Sequence, residues 1–562
     1  MDGLVRGSGA LAALLVAAVV VGCGVDRAVY RGGTVLTMNA TDDVVEAIGV
    51  EGDRIGAVGT AEEVLAWAGA TARIVELDGK AVVPGFVDAH GHFPGEGALH
   101  TRVDLNAPPI GDVETLADLQ ARLRAGAATV PEGEWLIGVG YDDTLLAELR
   151  HPTRHDLDAV TRSHPLAVLH VSGHLAVVNS LALEQAGLDR DSPDPEGGVR
   201  RRDADGELTG VLEESATHFV QAQLFEVGLL DSLQIVREAS RLALSRGVTT
   251  VQSGGTPGGL IAPLQWTSRL GLIEPRIVVW PAAEVIDEVL AGERTLPQAS
   301  GPDFWLGAVK LIADGSIQGY TGYLSEPYHV PPPGDLGFRG YPVIPRDELR
   351  ERVTRYHAAG WQVAVHGNGD ASIEDILDAF EHAFQLHPRS DARPIVIHAQ
   401  MTRPDQLDRM ARLEVLPSFF SLHTFYWGDR HRTLFMGPER AARMSPAATA
   451  LAKGVRFTIH CDSPVVPLEP LRLVWAAVNR RTRSGVTVGP DERISPMQAL
   501  RATTIDAAYS MRLEDHLGSL EVGKFADLAI LSASPLDEPA TIDHLRVVET
   551  VRGGQSVYRA SD

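Results

Sequence analysis

Short apolar runs separated by amphipathic stretches organise the chain between residues 82 and 459. Residues 82–87, 248–252, 276–280, 308–312, 362–365, 395–397, 415–419 and 456–459 each read as a buried strand. Helical patterns lie between most of them, for example 347–359 and 372–385. Repeated βα units predict a parallel sheet, and eight of them predict an α/β fold of the closed (β/α)8 TIM-barrel type. A doubly wound open sheet is the alternative. The barrel is preferred because several runs end in histidine or acidic residues, and functional groups of barrels sit at the C-terminal ends of their strands.

The two ends of the chain follow a different rhythm. Residues 30–38 read as a strand and 47–59 as a hairpin turning at Gly52-Asp53; residues 518–531 and 547–558 repeat the pattern. Neither end can bury a core alone. The expected organisation is a small β-sandwich built from 23–83 and 505–562, flanking a barrel over 84–504. The gap between the first two barrel runs, about 99–244, is too long for a structureless loop. It reads as an inserted subdomain over the barrel mouth.

Arg6 precedes an apolar stretch, residues 10–21, that ends Val20-Val21-Gly22-Cys23. It is too short to span a bilayer and fits a signal-peptide core over residues 1–22. A small residue before cysteine resembles the lipobox of bacterial lipoproteins. The expectation is an exported protein anchored to the membrane only through lipid on Cys23. The 562 residues are 44% hydrophobic and 22% charged, an ordinary globular balance, with a formal net charge of −24. That charge argues against a nucleic-acid partner, since no basic excess exists to neutralise phosphates. The two cysteines, Cys23 and Cys461, give no disulfide framework.

The strand ends carry the chemistry. The first gives His90 and His92, two residues apart and so on one side of an extended segment. The fourth carries Lys310 inside an apolar run, followed by Asp314. The fifth ends at His366, the sixth at His398 and the eighth at His460-Cys461-Asp462. Singly, each has an ordinary reading: a hydrogen-bonded structural histidine, a lysine reaching outward, or an aspartate capping a helix. Together they converge on one rim in barrel order. Such nitrogen and oxygen donors suit Zn²⁺ first, with Mn²⁺, Fe²⁺ or Co²⁺ as alternatives.

On these residues the chain resembles the amidohydrolase superfamily, and within it amidohydrolase family 3, which includes N-substituted formamide deformylases. The resemblance runs from Val29 to Tyr558 and rests on residues 84–92, 309–316, 366–370, 398–400 and 462–465, with 172–180 in the insert. It implies a site for one or two metals. His90, His92 and Asp462 would hold the buried metal and His366 and His398 the more exposed one. Lys310 would bridge them as a carboxylated lysine, and Asp314 would support the loop after the fourth strand. His366-Gly367-Asn368-Gly369-Asp370 and His460-Cys461-Asp462 depart from the branch's usual His-Ala-Ile-Gly-Asp and Gly-Ser-Asp, which bears on substrate contacts more than on the metal.

The implied activity is metal-dependent hydrolysis of a C–N bond in a small amide, N-substituted formamide or N-acyl compound. Asp462 acts as base and then acid, and His174 on the insert orients the carbonyl. Residues 419–427, with Phe419, Phe420, Phe425, Tyr426 and Trp427, are either a pocket for an apolar N-substituent or core beneath a loop. Arg430 and Arg432 are candidates for a substrate carboxylate. Other readings are cyclic imide, carbamate or ester hydrolysis, deamination, or a non-catalytic ligand-binding lipoprotein. The oligomeric state is left open.

Overall fold

A computed structural model describes residues 27–99, 101–224, 228–298, 301–332 and 334–561. The expected signal peptide and Cys23 lie outside them. Eight strands run in parallel order: β1 (Phe86–Val87), β2 (Val248–Thr256), β3 (Arg276–Pro281), β4 (Val309–Ile312), β5 (Val363–Gly367), β6 (Ile395–His398), β7 (Leu416–Phe419) and β8 (Thr458–Ile459). Nearly all their residues are buried, which is why they appear in the sequence as continuous apolar runs rather than alternating ones. Helices such as Arg346–Ala358 and Asp370–Leu386 cover them outside. The architecture is an α/β, TIM-barrel-like fold.

Its hydrogen-bonded ladder differs from the expected closed barrel. β1, β2 and β3 form one arc, extended by the short strand Phe304–Leu306, and β4 to β8 form a second. A single bridge, Ala282 to Lys310, links them on one side. The interruption falls at Gly307, whose α-carbon lies against the Trp280 indole: a methyl there would come within 2.4 Å of the ring. On the other side, β1 pairs over two residues only. Contact with the end of β8 passes to the following loops, where Asp462 N donates to His90 O at 3.2 Å and His92 N to Ser463 O at 2.7 Å. Apolar side chains of β1, β3, β5, β6 and β7 cluster with Ala507 and Ala508 of the helix Ile505–Ser510.

The terminal strands share one eight-stranded sheet rather than two separately bonded layers. Leu528–Leu531 pairs with Ala81–Pro84, which pairs with Arg27–Leu36, so both chain ends meet at the centre. Tyr30, Ile48, Val82, Leu528 and Val551 pack in one cluster there. This sheet is tied to the barrel by Arg276 at the start of β3, which donates to Asp527 at 2.6 and 3.1 Å. Residues 103–214 supply a second sheet of six strands. The helix after it, Leu229–Ser245, places Val236, Ala239 and Ala243 in the barrel core. Among the described residues no helix is long and apolar enough to cross a membrane.

Candidate metal centre

The ends of β1, β4, β5, β6 and β8 point their polar side chains at one another. Phe86–Val87 ends in Asp88-Ala89-His90, and His90 is fully buried. His92 is half-buried, with 43% of its side chain exposed, and its Nδ1 lies 2.9 Å from Gly254 O. A ring nitrogen facing a carbonyl carries the proton, so His92 Nε2 keeps its lone pair. That atom is 3.3 Å from Asp462 Oδ1, and His90 Nε2 is 3.5 Å from the same oxygen. His90, His92 and Asp462 each offer a donor atom, all within 4.8 Å of one another.

Asp462 adopts a left-handed backbone, φ +56°, which turns its carboxylate back over the strand ends. Burial alone would push the carboxyl up; the imidazoles of His398, His92 and His90 outweigh it and hold it well below the usual range. Asp462 Oδ1 has no hydrogen-bond partner although it is buried. A buried, ionised oxygen without a donor is costly, and a cation between it and the two imidazoles removes that cost. On this geometry and donor chemistry the residues fit a divalent metal.

Around this set stand the other predicted residues. Lys310 Nζ lies 3.2 Å from His90 Nε2, inside the strand ring and buried. Burial lowers the Lys310 ammonium to about 7, against the pull of Asp462. His398 Nε2 is 3.9 Å from Asp462 Oδ2. The His366 ring sits 4.5 Å from His398 and 5.0 Å from His174, centroid to centroid. Burial, reinforced by neighbouring cationic groups, pulls His90, His366 and His398 well below the ordinary imidazole range, against the pull of Asp462.

Asp314 sits beneath His366. One oxygen accepts from Asn368 N at 3.0 Å and the other from Gly369 N at 2.8 Å and Tyr323 N at 2.9 Å. The first oxygen is also 3.3 Å from His366 Nδ1. The carboxylate thus fixes the loops after β4 and β5 and orients an imidazole. Gly369 is required by this closeness: a methyl there would fall 1.8 Å from Tyr323 O.

His174 comes from the insert, as the last residue of the turn that leads into Leu175–Val178. Its Nδ1 is 2.7 Å from Glu214 Oε2. Burial pulls this imidazole down, but Glu214 outweighs it and the net shift is upward. Glu214 was not singled out in the sequence, being 40 residues away with no local motif. Nor was His460 given a role. Its Nε2 lies 3.0 Å from His398 Nδ1 and its Nδ1 2.9 Å from Ser418 Oγ. With the proton of His460 on Nδ1, its Nε2 accepts from His398 and leaves His398 Nε2 bare.

Other expected contributors lie elsewhere. Phe419, Phe420, Tyr426 and Trp427 are buried, and Phe420 stacks among His398, His423 and His460. They are packing beneath the rim more than an open lining. Arg430 donates to the Tyr426 carbonyl in its own loop.

Comparison with known proteins gives the family. The amidohydrolase family profile matches residues 73–558. The YtcJ protein of Bacillus subtilis is 30% identical over 554 residues, covering 95% of this chain and 100% of its own. The N-substituted formamide deformylase of Arthrobacter pascens is 27% identical, covering 93% and 97%. An uncharacterized metal-dependent hydrolase from Pyrococcus furiosus superposes with a TM-score of 0.69 at 28% identity, covering 91% of this chain and 100% of its own. With the match running over residues 73–558, which include every strand end described above, the chain belongs to the amidohydrolase family.

Proposed function

We propose that this metal-dependent hydrolase cleaves the C–N bond of a small N-acyl compound, with N-substituted formamides as the leading class. The observation that carries the reading is the convergence of His90, His92 and Asp462 beneath an insert-borne imidazole, His174, paired with Glu214. The formamide assignment draws on the relative from Arthrobacter pascens, whose name specifies that activity.

In this reading His90, His92 and Asp462 hold one divalent metal, Zn²⁺ first by donor type. His366 and His398 hold a second when Lys310 is carboxylated. A bound cation supplies Lewis acidity toward the scissile carbonyl and lowers the pKa of water. The chain's own residues do the rest. Asp462, kept ionised by its imidazole neighbours, takes the proton of the attacking water and passes it to the departing nitrogen. His174, whose imidazole Glu214 pushes toward its protonated form, donates through Nε2 to the carbonyl oxygen as negative charge develops there. Asp314 and His460 fix the rings of His366 and His398. The buried position of Lys310 favours its neutral amine, the form that adds CO₂.

Incubation with a panel of N-alkyl and N-aryl formamides, acetamides, cyclic imides and esters tests the assignment, with amine and acid products followed by chromatography. Stoichiometric amine and formate from the formamides is the expected result. Turnover confined to esters or cyclic imides would overturn the formamide reading.

A further inference from the structure

We infer that the insert carries a second divalent-cation site, formed by Asp142, Asp143 and His170 and separate from the barrel centre. The strands Leu136–Tyr141 and Leu166–His170 are parallel neighbours with Tyr141 opposite His170. They therefore end side by side: Asp142 and Asp143 follow one, and His170 closes the other. One ligand-type atom from each of the three lies within 4.8 Å of the others.

Proximity alone would mean little. The decisive observation is that His170, 2% exposed, aims Nε2 at Asp143 Oδ1 from 3.2 Å, yet neither atom has a hydrogen-bond partner. The oxygen lies off the ring's N–H axis, so the contact is close but bent. Two buried atoms that face each other off axis are oriented as ligands of a common third atom. Leaving both unpartnered costs stability.

The ligands are also held from behind, as metal ligands characteristically are. His170 Nδ1 is 2.8 Å from Ser172 Oγ. Asp142 Oδ1 accepts from Thr144 N at 2.9 Å and Thr144 Oγ1 at 2.6 Å, and its Oδ2 from Trp427 Nε1 at 2.9 Å. His151 Nε2, 3.6 Å from Asp143 Oδ2, stands as a further donor. One or two imidazoles with two carboxylates select a divalent transition ion such as Zn²⁺, Mn²⁺ or Co²⁺ over Ca²⁺ or Mg²⁺, which favour all-oxygen sites. Because Trp427 follows β7, the ion would clamp the insert to the barrel rim. It also follows that two metals per chain need not mean two in the barrel.

The test uses full-length protein equilibrated with Zn²⁺, freed of loose ions by gel filtration and assayed for zinc per chain. His170→Ala is made in the wild type and in a His90→Ala/His92→Ala background. The expected result is a loss of one equivalent relative to the parent in both backgrounds, with the circular dichroism unchanged. An unchanged count in both would overturn the proposal and leave His170 and Asp143 as an ion pair only. Should His170→Ala fail to fold, the near-isosteric Asp143→Asn is read the same way. The outcome is independent of the proposed hydrolysis, because neither residue contributes to the barrel centre.

Discussion

Asp314 offers the most direct link between fold and chemistry. Its carboxylate is fully buried, accepts three backbone N–H groups and faces His366 Nδ1 at 3.3 Å. Asp314→Asn keeps the volume and one carbonyl but replaces the other oxygen with an N–H₂ aimed at donors. At least one of the three amides is then unpaired, at about 1–3 kcal/mol. The imidazole also loses the carboxylate charge beside its Nδ1, and loss of a partner standing behind a metal ligand weakens metal binding about 10–100-fold. Two assays read these effects separately. Hydrogen exchange by mass spectrometry should show faster exchange in the segments holding Tyr323, Asn368 and Gly369, with the remaining strands unchanged. Competition with a chelator should show the weaker affinity. Wild-type exchange together with wild-type affinity would refute the reasoning. The acid itself adds a pH signature. Burial raises Asp314 to about 7 against the three amides that lower it. A raised acid stabilises the fold fully below its unfolded value, and that contribution is lost as pH rises through about 7. In metal-free protein, protection of these amides should therefore decline between the normal aspartate range and neutral pH, and Asp314→Asn should remove the dependence.

Further outcomes follow from the same logic. Asp527→Ala removes the bidentate partner of Arg276, whose side chain is 3% exposed, and leaves it Asp303 at 3.1 Å and Pro302 O at 2.7 Å; with that partial compensation the cost falls below the about 3–5 kcal/mol of a fully broken buried pair. The first transition in urea, followed by fluorescence, should move to clearly lower denaturant, whereas exposed Arg122–Asp112 should tolerate Asp112→Ala with little change. Glu214→Gln removes the charge that raises His174. The protonated imidazole is lost as pH rises through its folded pKa, so the alkaline limb of kcat/KM should shift to lower pH, and an unmoved limb would exclude His174 as the cationic donor.

Much of this was legible in the sequence because the strands are buried on both faces. A buried parallel strand must be a continuous apolar run, so any polar residue at its end stands out, and His90, His366, His398 and Asp462 were found that way. What was hidden depended on long-range geometry. The break near Gly307 lies against Trp280 of the neighbouring strand, a closeness that no local pattern reveals. Glu214 meets His174 across an antiparallel pair within the insert, where the flanking residues look like ordinary edge polarity. His460 ended a strand like its neighbours, yet its role is set by Ser418 on β7 and became visible only with the strands in register. The aromatic run at 419–427 shows the converse: composition suggested a lining, and packing placed most of it beneath the rim.

In the proposed reading His90, His92 and Asp462 hold a metal on which hydrolysis depends. That dependence is tested most directly by metal analysis paired with formamide turnover in wild-type and Asp462→Asn protein, before and after chelation. Chelated wild type should be inactive and regain turnover with Zn²⁺, Mn²⁺ or Co²⁺, and Asp462→Asn should lose at least one equivalent of metal and regain no turnover. Undiminished turnover by metal-free wild type, or by a folded Asp462→Asn variant, would contradict it.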